Sequence, residues 1–261
     1  MMITSGSNDK IRQVILLNTK AKARRDSGCF VAEGYKLFCE TPASLRRAVY
    51  ISESFAAEHP EISAQEKVLH VSDAVFRKMC DTKTPQGILT VADMPQWEQR
   101  DLLGDGDHAV PLILLLDNLQ DPGNVGTIIR TAEGAGVTGI VIGSETADIF
   151  APKVIRATMG SVFRMPVIRT ADPGAMLDYL RENGVTSYAS HLSGSVPYTE
   201  PDYTKGTALL IGNEGNGLSR KLTEQADYRI RIPMVGSVES LNAAVAASVM
   251  MYEVHRQRTL A

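Results

Sequence analysis

The stretch Leu112-Ile113-Leu114-Leu115-Leu116-Asp117-Asn118-Leu119-Gln120-Asp121-Pro122-Gly123-Asn124-Val125-Gly126-Thr127-Ile128-Ile129-Arg130-Thr131-Ala132 joins a strand to a helix. Its opening residues are apolar without alternation, the pattern of a central strand buried on both faces. Asp121-Pro122 then starts a turn, and Val125, Ile128, Ile129 and Ala132 recur at the spacing that docks one face of a helix. Gly126, Thr127 and Arg130 are expected on the opposite side, with Asn124 near the helix start. An arginine in the first turns opposes the helix dipole, and no acid precedes it at helical spacing. Arg130 is therefore a candidate working residue rather than half of a surface ion pair.

Working outward, further strands are expected at 139–143, 161–165, 186–190, 207–211 and 228–232, with helices between them. Alternating β and α segments with short loops predict an α/β domain with a mostly parallel sheet covered on both faces. Ligands of such a sheet sit at the carboxyl ends of its strands. Before it, expected strands at 47–51, 68–71 and 87–91 and helices near Phe55 and over 73–80 make a smaller α/β unit. The periodicity fades between them. The division is thus 1–92 for a first domain, 93–109 for a linker and 110–261 for the second domain.

The 261 residues are 44% hydrophobic and 22% charged, enough for two cores and unlike a disordered or fibrous chain. The net charge of −3 excludes a uniformly basic nucleic-acid binder. Between Asp9 and Arg47, however, nine Lys/Arg face four acids, a local +5 that leaves −8 for the rest. Lys20, Lys22, Arg24 and Arg25 are the candidate phosphate-binding residues in that stretch, weighed against a merely solvated helix face. The three cysteines, Cys29, Cys39 and Cys80, form no metal-ligand or disulfide pattern, and no apolar run approaches a membrane span. A soluble cytoplasmic protein without a metal is the expectation.

Two later segments complete the chemistry. Leu209-Leu210-Ile211-Gly212-Asn213-Glu214-Gly215-Asn216-Gly217-Leu218-Ser219 is a buried strand breaking into a glycine-rich loop. It lacks the Gly-Lys-Ser/Thr ending of a phosphate loop, and its glycines run G-x-x-G-x-G rather than in the dinucleotide order. Its acidic Glu214 favours a neutral or cationic ligand over phosphate. Ile232-Pro233-Met234-Val235-Gly236-Ser237-Val238-Glu239-Ser240-Leu241-Asn242 leads into a terminal helix that is small and apolar almost all round and is expected to be buried. Ser240 is a candidate cap for it, and Asn242 needs hydrogen-bond partners if it is buried.

Together, D-P-x-N-x-G-x-I-x-R, G-N-E-G-x-G-L and I-P-x-x-G-x-x-x-S-L-N resemble the three motifs of the SpoU (TrmH) family of RNA ribose 2′-O-methyltransferases, within the SPOUT superfamily. Residues 1 to about 92 resemble the ribosomal-protein-like substrate-binding domain often fused ahead of it, through Phe30-Val31-Ala32-Glu33-Gly34 and Thr84-Pro85-Gln86-Gly87-Ile88-Leu89. The resemblance implies a C-terminal trefoil knot, which general topology rules disfavour. It also implies S-adenosylmethionine as cofactor and a homodimer that completes the active site. Carried over by motif position, Gly212, Ile232 and Leu241 line the cofactor pocket, with Met234, His191 and Leu192 as additions. Arg130, Asn124, Glu214, Ser240 and Asn242 form the catalytic group.

The chemistry suits these residue types. Methyl transfer from a sulfonium to a ribose 2′-hydroxyl needs that weak acid positioned and relieved of its proton. The resemblance offers Arg130 either as a base or as a holder of the adjacent phosphate that stabilises developing oxyanion charge. The second is preferred, because arginine stays protonated in proteins. The expected substrate is structured RNA, rRNA rather than tRNA. The alternative is a non-catalytic RNA-binding or ribosome-assembly module that retains the fold.

Overall fold

The structure is a computed structural model that describes residues 2–104, 106, 110–192 and 195–260. Its chain divides into two compact units, 1–96 with 148–163, and 97–147 with 164–261. In the first, α1 (Asp9–Thr19) and α2 (Ala21–Ser27) precede β1 (Cys29–Glu33) and α3 (Tyr35–Glu40). Then come β2 (Arg46–Ser52), α4 (Glu53–Glu58), α5 (Pro60–Ser63), β3 (Val68–Val71), α6 (Asp73–Met79) and β4 (Ile88–Asp93). The sheet runs β1-β4-β2-β3, antiparallel except for β2 against β3. Ile11, Val14 and Leu17 of α1 share a core with Val75, Phe76 and Met79 of α6 on one face of that sheet. Asn8 caps α1 by accepting from the Lys10 amide at 3.0 Å.

The second unit opens with β5 (Leu112–Leu116), α7 (Pro122–Gly134) and β6 (Gly139–Gly143). The next segment, α8 (Pro152–Thr158), belongs to the first unit. After it follow β7 (Val167–Thr170), α9 (Pro173–Glu182), β8 (Thr186–Ser190), β9 (Val196–Pro197) and β10 (Thr207–Ile211). The chain ends with α10 (Arg220–Gln225), β11 (Tyr228–Arg231) and α11 (Ala243–Leu260). Seven strands in the order β7-β6-β5-β10-β8-β11-β9 form a sheet whose pairings are all parallel. Every residue of β5, β6 and β10 is buried. That is the physical reason these strands are apolar without alternation: helices cover both faces.

Four expectations need correction. The strand expected at 161–165 is a 3-10 turn, Ser161–Phe163, and the sheet takes up Val167–Thr170 instead. Val162 and Phe163 are core residues beside Phe30 and Ile155, and Pro166, with no amide hydrogen to give a ladder, separates them from the strand. Gly126 is buried with Val125, not on the open side of α7. The terminal helix is buried on one side only, because Val245 is 48% and Tyr252 50% exposed. Asn242, not Ser240, caps it, accepting from the amides of Ala244 and Val245 at 2.9 and 3.3 Å.

The stretch expected as linker also carries structure. Gln99–Leu103 is a 3-10 turn closed by a reciprocal cap between Glu98 and Asp101, and it buries Leu102 against Gly139. All three cysteines are free. Burial pushes the Cys29 thiol up to about 11, so it packs as a small apolar residue. No helix among the described residues is long and apolar enough to cross a membrane.

Candidate active site

A cavity of about 690 Å³ opens at the carboxyl ends of β8, β10 and β11, where an alternating β/α sheet places its ligand site. That volume lies within the ~300–1,000 Å³ typical of pockets for small ligands. Three chain segments wall it: 190–192 at the end of β8, 211–218 at the end of β10, and residues 231, 232, 234 and 239–243 at and after the end of β11. Ala246 and Met250 of α11 close the back. All six residues expected at the cofactor, Gly212, Ile232, Met234, Leu241, His191 and Leu192, are in this wall.

The loop after β10 can turn there because of Gly212. A Cβ at that position would overlap the backbone of Gly217 and Leu218. The turn is closed by paired amides and carbonyls of Asn213 and Gly217 at 3.0 and 2.9 Å, while the Asn213 Oδ1 accepts from the amides of Gly215 and Asn216. The segment after β11 is different. Among the described residues, no hydrogen bond ties the backbone of residues 234–241 to the rest of the protein. Amides and carbonyls on this side of the cavity are open to a ligand.

One chain of hydrogen bonds joins the three motifs. Glu214 accepts from Asn124 Nδ2 at 2.9 Å and from the amides of Gln120 and Asp121 at 3.3 and 3.4 Å. Asn124 Oδ1 accepts from Asn242 Nδ2 at 2.9 Å. Asn242 in turn caps α11. The start of α7 is fixed separately, because the Asp121 carboxylate accepts from the Asn124 amide at 2.8 Å. Burial works against ionisation of Glu214, but the bonds from Asn124 and the backbone amides outweigh it and hold the carboxyl below the ordinary range. A carboxylate so occupied is a weak base. Its bond from Asn124 holds that side chain in place.

Glu214, Ser240 and Asn242 line the cavity, and Asn124 is bonded to two of them. Arg130 does not line it. It is exposed on α7 and pairs with no carboxylate among the described residues. Sequence reasoning missed Asn213, Glu239, Ala246 and Met250 in the wall; spacing says nothing about which face of a loop or helix turns inward. Among the described residues, no group of three or more His, Cys, Asp or Glu could hold a metal.

Arg24 departs from its expected role. It is only 5% exposed, donates to Asp148 at 2.9 and 2.7 Å and to the Leu17 carbonyl at 2.5 Å, and so holds its own unit together. Lys20, Lys22 and Arg25 are exposed.

A parallel α/β sheet, a cavity walled by three segments at its strand ends and a Glu-Asn-Asn chain that joins the three motifs fit the SpoU class of RNA methyltransferase. The chain belongs to that family: residues 111–252 match the SpoU rRNA Methylase family, and residues 8–90 match the MRM3-like substrate binding domain. The 23S rRNA (guanosine(2553)-2'-O)-methyltransferase RlmP of Bacillus subtilis is 36% identical over 253 residues, 96% of this chain and 97% of that protein. The AdoMet-bound rRNA methyltransferase of Sinorhizobium meliloti superposes with a TM-score of 0.85 at 34% identity, covering 98% of this chain and 97% of that one. The SpoU methyltransferase AviRb of Streptomyces viridochromogenes, in complex with AdoMet, gives a TM-score of 0.84 at 28% identity over 97% of this chain and 100% of its own. The alternative of a non-catalytic module falls away.

Proposed function

We propose that this chain transfers a methyl group from S-adenosylmethionine to a ribose 2′-hydroxyl of ribosomal RNA. The observation that carries the reading is the hydrogen-bonded chain Glu214–Asn124–Asn242 at the edge of the cavity, because it brings the polar residues of three distant motifs to one place. The cavity suits the cofactor: Leu192, Ile232, Met234 and Leu241 offer apolar surface to a flat base, and the open backbone of 234–241 offers donors and acceptors to its edges. When bound there, the cofactor supplies an electrophilic methyl on a sulfonium.

In this reading, Gly212 admits the cofactor to the loop, and Ile232, Leu241, Met234, His191 and Leu192 hold it. Asn124 and Asn242, fixed by Glu214 and by the α11 cap, orient the ribose. Ser240, exposed at the rim, contacts the incoming nucleotide. Arg130 holds the adjacent phosphate and stabilises charge developing on the attacking oxygen. In the same reading Arg130, which stands outside the cavity wall, acts on the site of a second copy. The half-exposed Val245 and Tyr252 on the outer side of α11 give that copy an apolar face to cover.

The chain is threaded as a trefoil knot in the same reading, which accounts for two loops from successive strands walling one cavity. Lys20, Lys22 and Arg25 grip RNA phosphates from the first unit. In the same reading the enzyme works in the cytoplasm.

The test uses the purified full-length protein, labelled S-adenosylmethionine, and rRNA and tRNA from a strain lacking the gene. Label is expected in a 2′-O-methylated nucleoside released from rRNA. Label only in tRNA would overturn the substrate, and label in neither would overturn the activity.

A further inference from the structure

Asp117 directly follows β5 and is only 4% exposed, yet no cation pairs with it among the described residues. Its carboxylate accepts instead from the Ser219 amide at 2.7 Å and from Asn118 Nδ2 at 3.1 Å. A buried carboxylate with neutral partners alone is an expensive way to hold a chain together. What it holds is the far end of the cavity loop. Ser219 is the residue on which that loop closes and α10 begins.

The neighbouring residue holds the near end. Asn213 Nδ2 donates to the Asn118 carbonyl at 2.8 Å. Asn118 sits in the left-handed region at φ 58, where asparagine is tolerated far better than most residues, and its Oδ1 accepts from the Glu145 amide at 3.2 Å. The Asp117 amide also donates to the Ile211 carbonyl at 2.9 Å. Both ends of the loop 212–219 are therefore pinned to the dipeptide Asp117-Asn118, and Glu214 and the Gly212 wall lie between the pins.

We infer that Asp117 and Asn213 are positioning residues that latch the loop 212–219 into the shape that receives the methyl donor. The inference rests on the proposed methyltransferase reading and deepens it. Neither side chain has to reach the transferred methyl. Each fixes the wall against which the donor is bound, so the loss falls on donor affinity more than on the RNA.

The full-length variants Asp117→Asn and Asn213→Asp separate the latch from general folding. The first replaces an all-acceptor carboxylate with a group whose amide opposes the Asn118 donor. The second keeps the oxygen that serves Gly215 and Asn216 and replaces the donor to Asn118 with a charged acceptor that faces the Asn118 carbonyl. Steady-state kinetics with S-adenosylmethionine and rRNA are expected to show the KM for the methyl donor raised about tenfold, the KM for rRNA unchanged and kcat lowered less than about threefold. Thermal unfolding is expected to show a smaller rise in Tm on adding S-adenosylmethionine than in wild type. A methyl-donor KM within twofold of wild type in the folded variants overturns the latch, even if Tm falls. If Asp117→Asn does not fold, Asn213→Asp decides alone. Wild-type protein that neither binds the donor nor methylates rRNA overturns the functional reading instead.

Discussion

Asn242 donates from Nδ2 to Asn124 Oδ1 at 2.9 Å, although 118 residues separate them in the chain. One starts α11 and the other lies in the first turn of α7, so this single bond fixes the two helix starts relative to each other. Each asparagine spends its other amide atom elsewhere: Asn124 Nδ2 on Glu214, and Asn242 Oδ1 on the cap of α11. Turning the Asn124 amide would lose two bonds, and turning that of Asn242 three.

That shared geometry predicts strong coupling. Asn124→Ala and Asn242→Ala are each expected to lower kcat/KM by roughly 10- to 100-fold, and the double variant to lose little more than the worse single, because both remove the same oriented pair. Steady-state kinetics on the three variants checks this. Losses that multiply would mean that the two residues act independently.

Glu214 gives a pH prediction whose sign follows from its partners. Burial opposes its charge, while Asn124 and the amides of Gln120 and Asp121 favour it and win. Its folded pKa is therefore below its unfolded value of about 4.3. The stability it contributes is complete above that unfolded value and disappears as pH falls through the lower folded one. With Asn124→Ala the largest favourable partner is gone and the burial remains, so the carboxyl should titrate at higher pH than in wild type. Carbon-13 NMR titration of the Glu214 carboxyl reads this directly, and an unchanged or lower midpoint in the variant contradicts the assignment.

Much of this was legible in the sequence, and the gaps have physical causes. The unbroken apolar runs of β5, β6 and β10 announced buried parallel strands because side chains on both faces are covered. Ser161–Phe163 misled because the same apolar residues satisfy a core whether extended or coiled, and only the tertiary neighbours Phe30 and Ile155 decide between them. Arg24 was indistinguishable from Lys22 and Arg25 as a charge in a basic stretch. Its partner Asp148 lies 124 residues away, beyond any local pattern. Asp117 and Asn213 passed unread for the same reason. Their value lies in the bonds from Ser219 and to the Asn118 carbonyl, which spacing cannot show.

The burial of Arg24 separates a residue that holds the fold from Lys20, Lys22 and Arg25, which stay exposed. Arg24→Ala leaves Asp148 partly buried and uncompensated, and should destabilise the protein by about 3 kcal/mol, at the low end for a broken buried pair because Asp148 keeps some exposure. Denaturant unfolding measures that loss. Lys20→Glu with Lys22→Glu should leave stability within about 0.5 kcal/mol and weaken rRNA binding instead. Each lost phosphate contact lowers the slope of log affinity against log salt by about 0.7–0.9. Equal RNA affinities across a salt series for wild type and the double lysine variant would remove these lysines from the RNA interface.

Arg130 and Asn242 provide the test of a shared active site. Arg130 is exposed on α7 outside the cavity wall, whereas Asn242 lines it. If Arg130 serves the cavity of a second copy, Arg130→Ala and Asn242→Ala each impair every site of a homodimer. Co-expressed, half of the dimers are mixed, and in each of these one site carries both substitutions while the other carries none. Activity should then recover to about a quarter of wild type, above that of either impaired parent. Arg130→Ala alone should unfold at the wild-type temperature, since the side chain makes no bond that the fold depends on. Tagged subunits purified as heterodimers and assayed with labelled S-adenosylmethionine give the answer. Heterodimers no more active than their parents would show that Arg130 works in its own subunit, and a Tm well below wild type for Arg130→Ala would make its role structural.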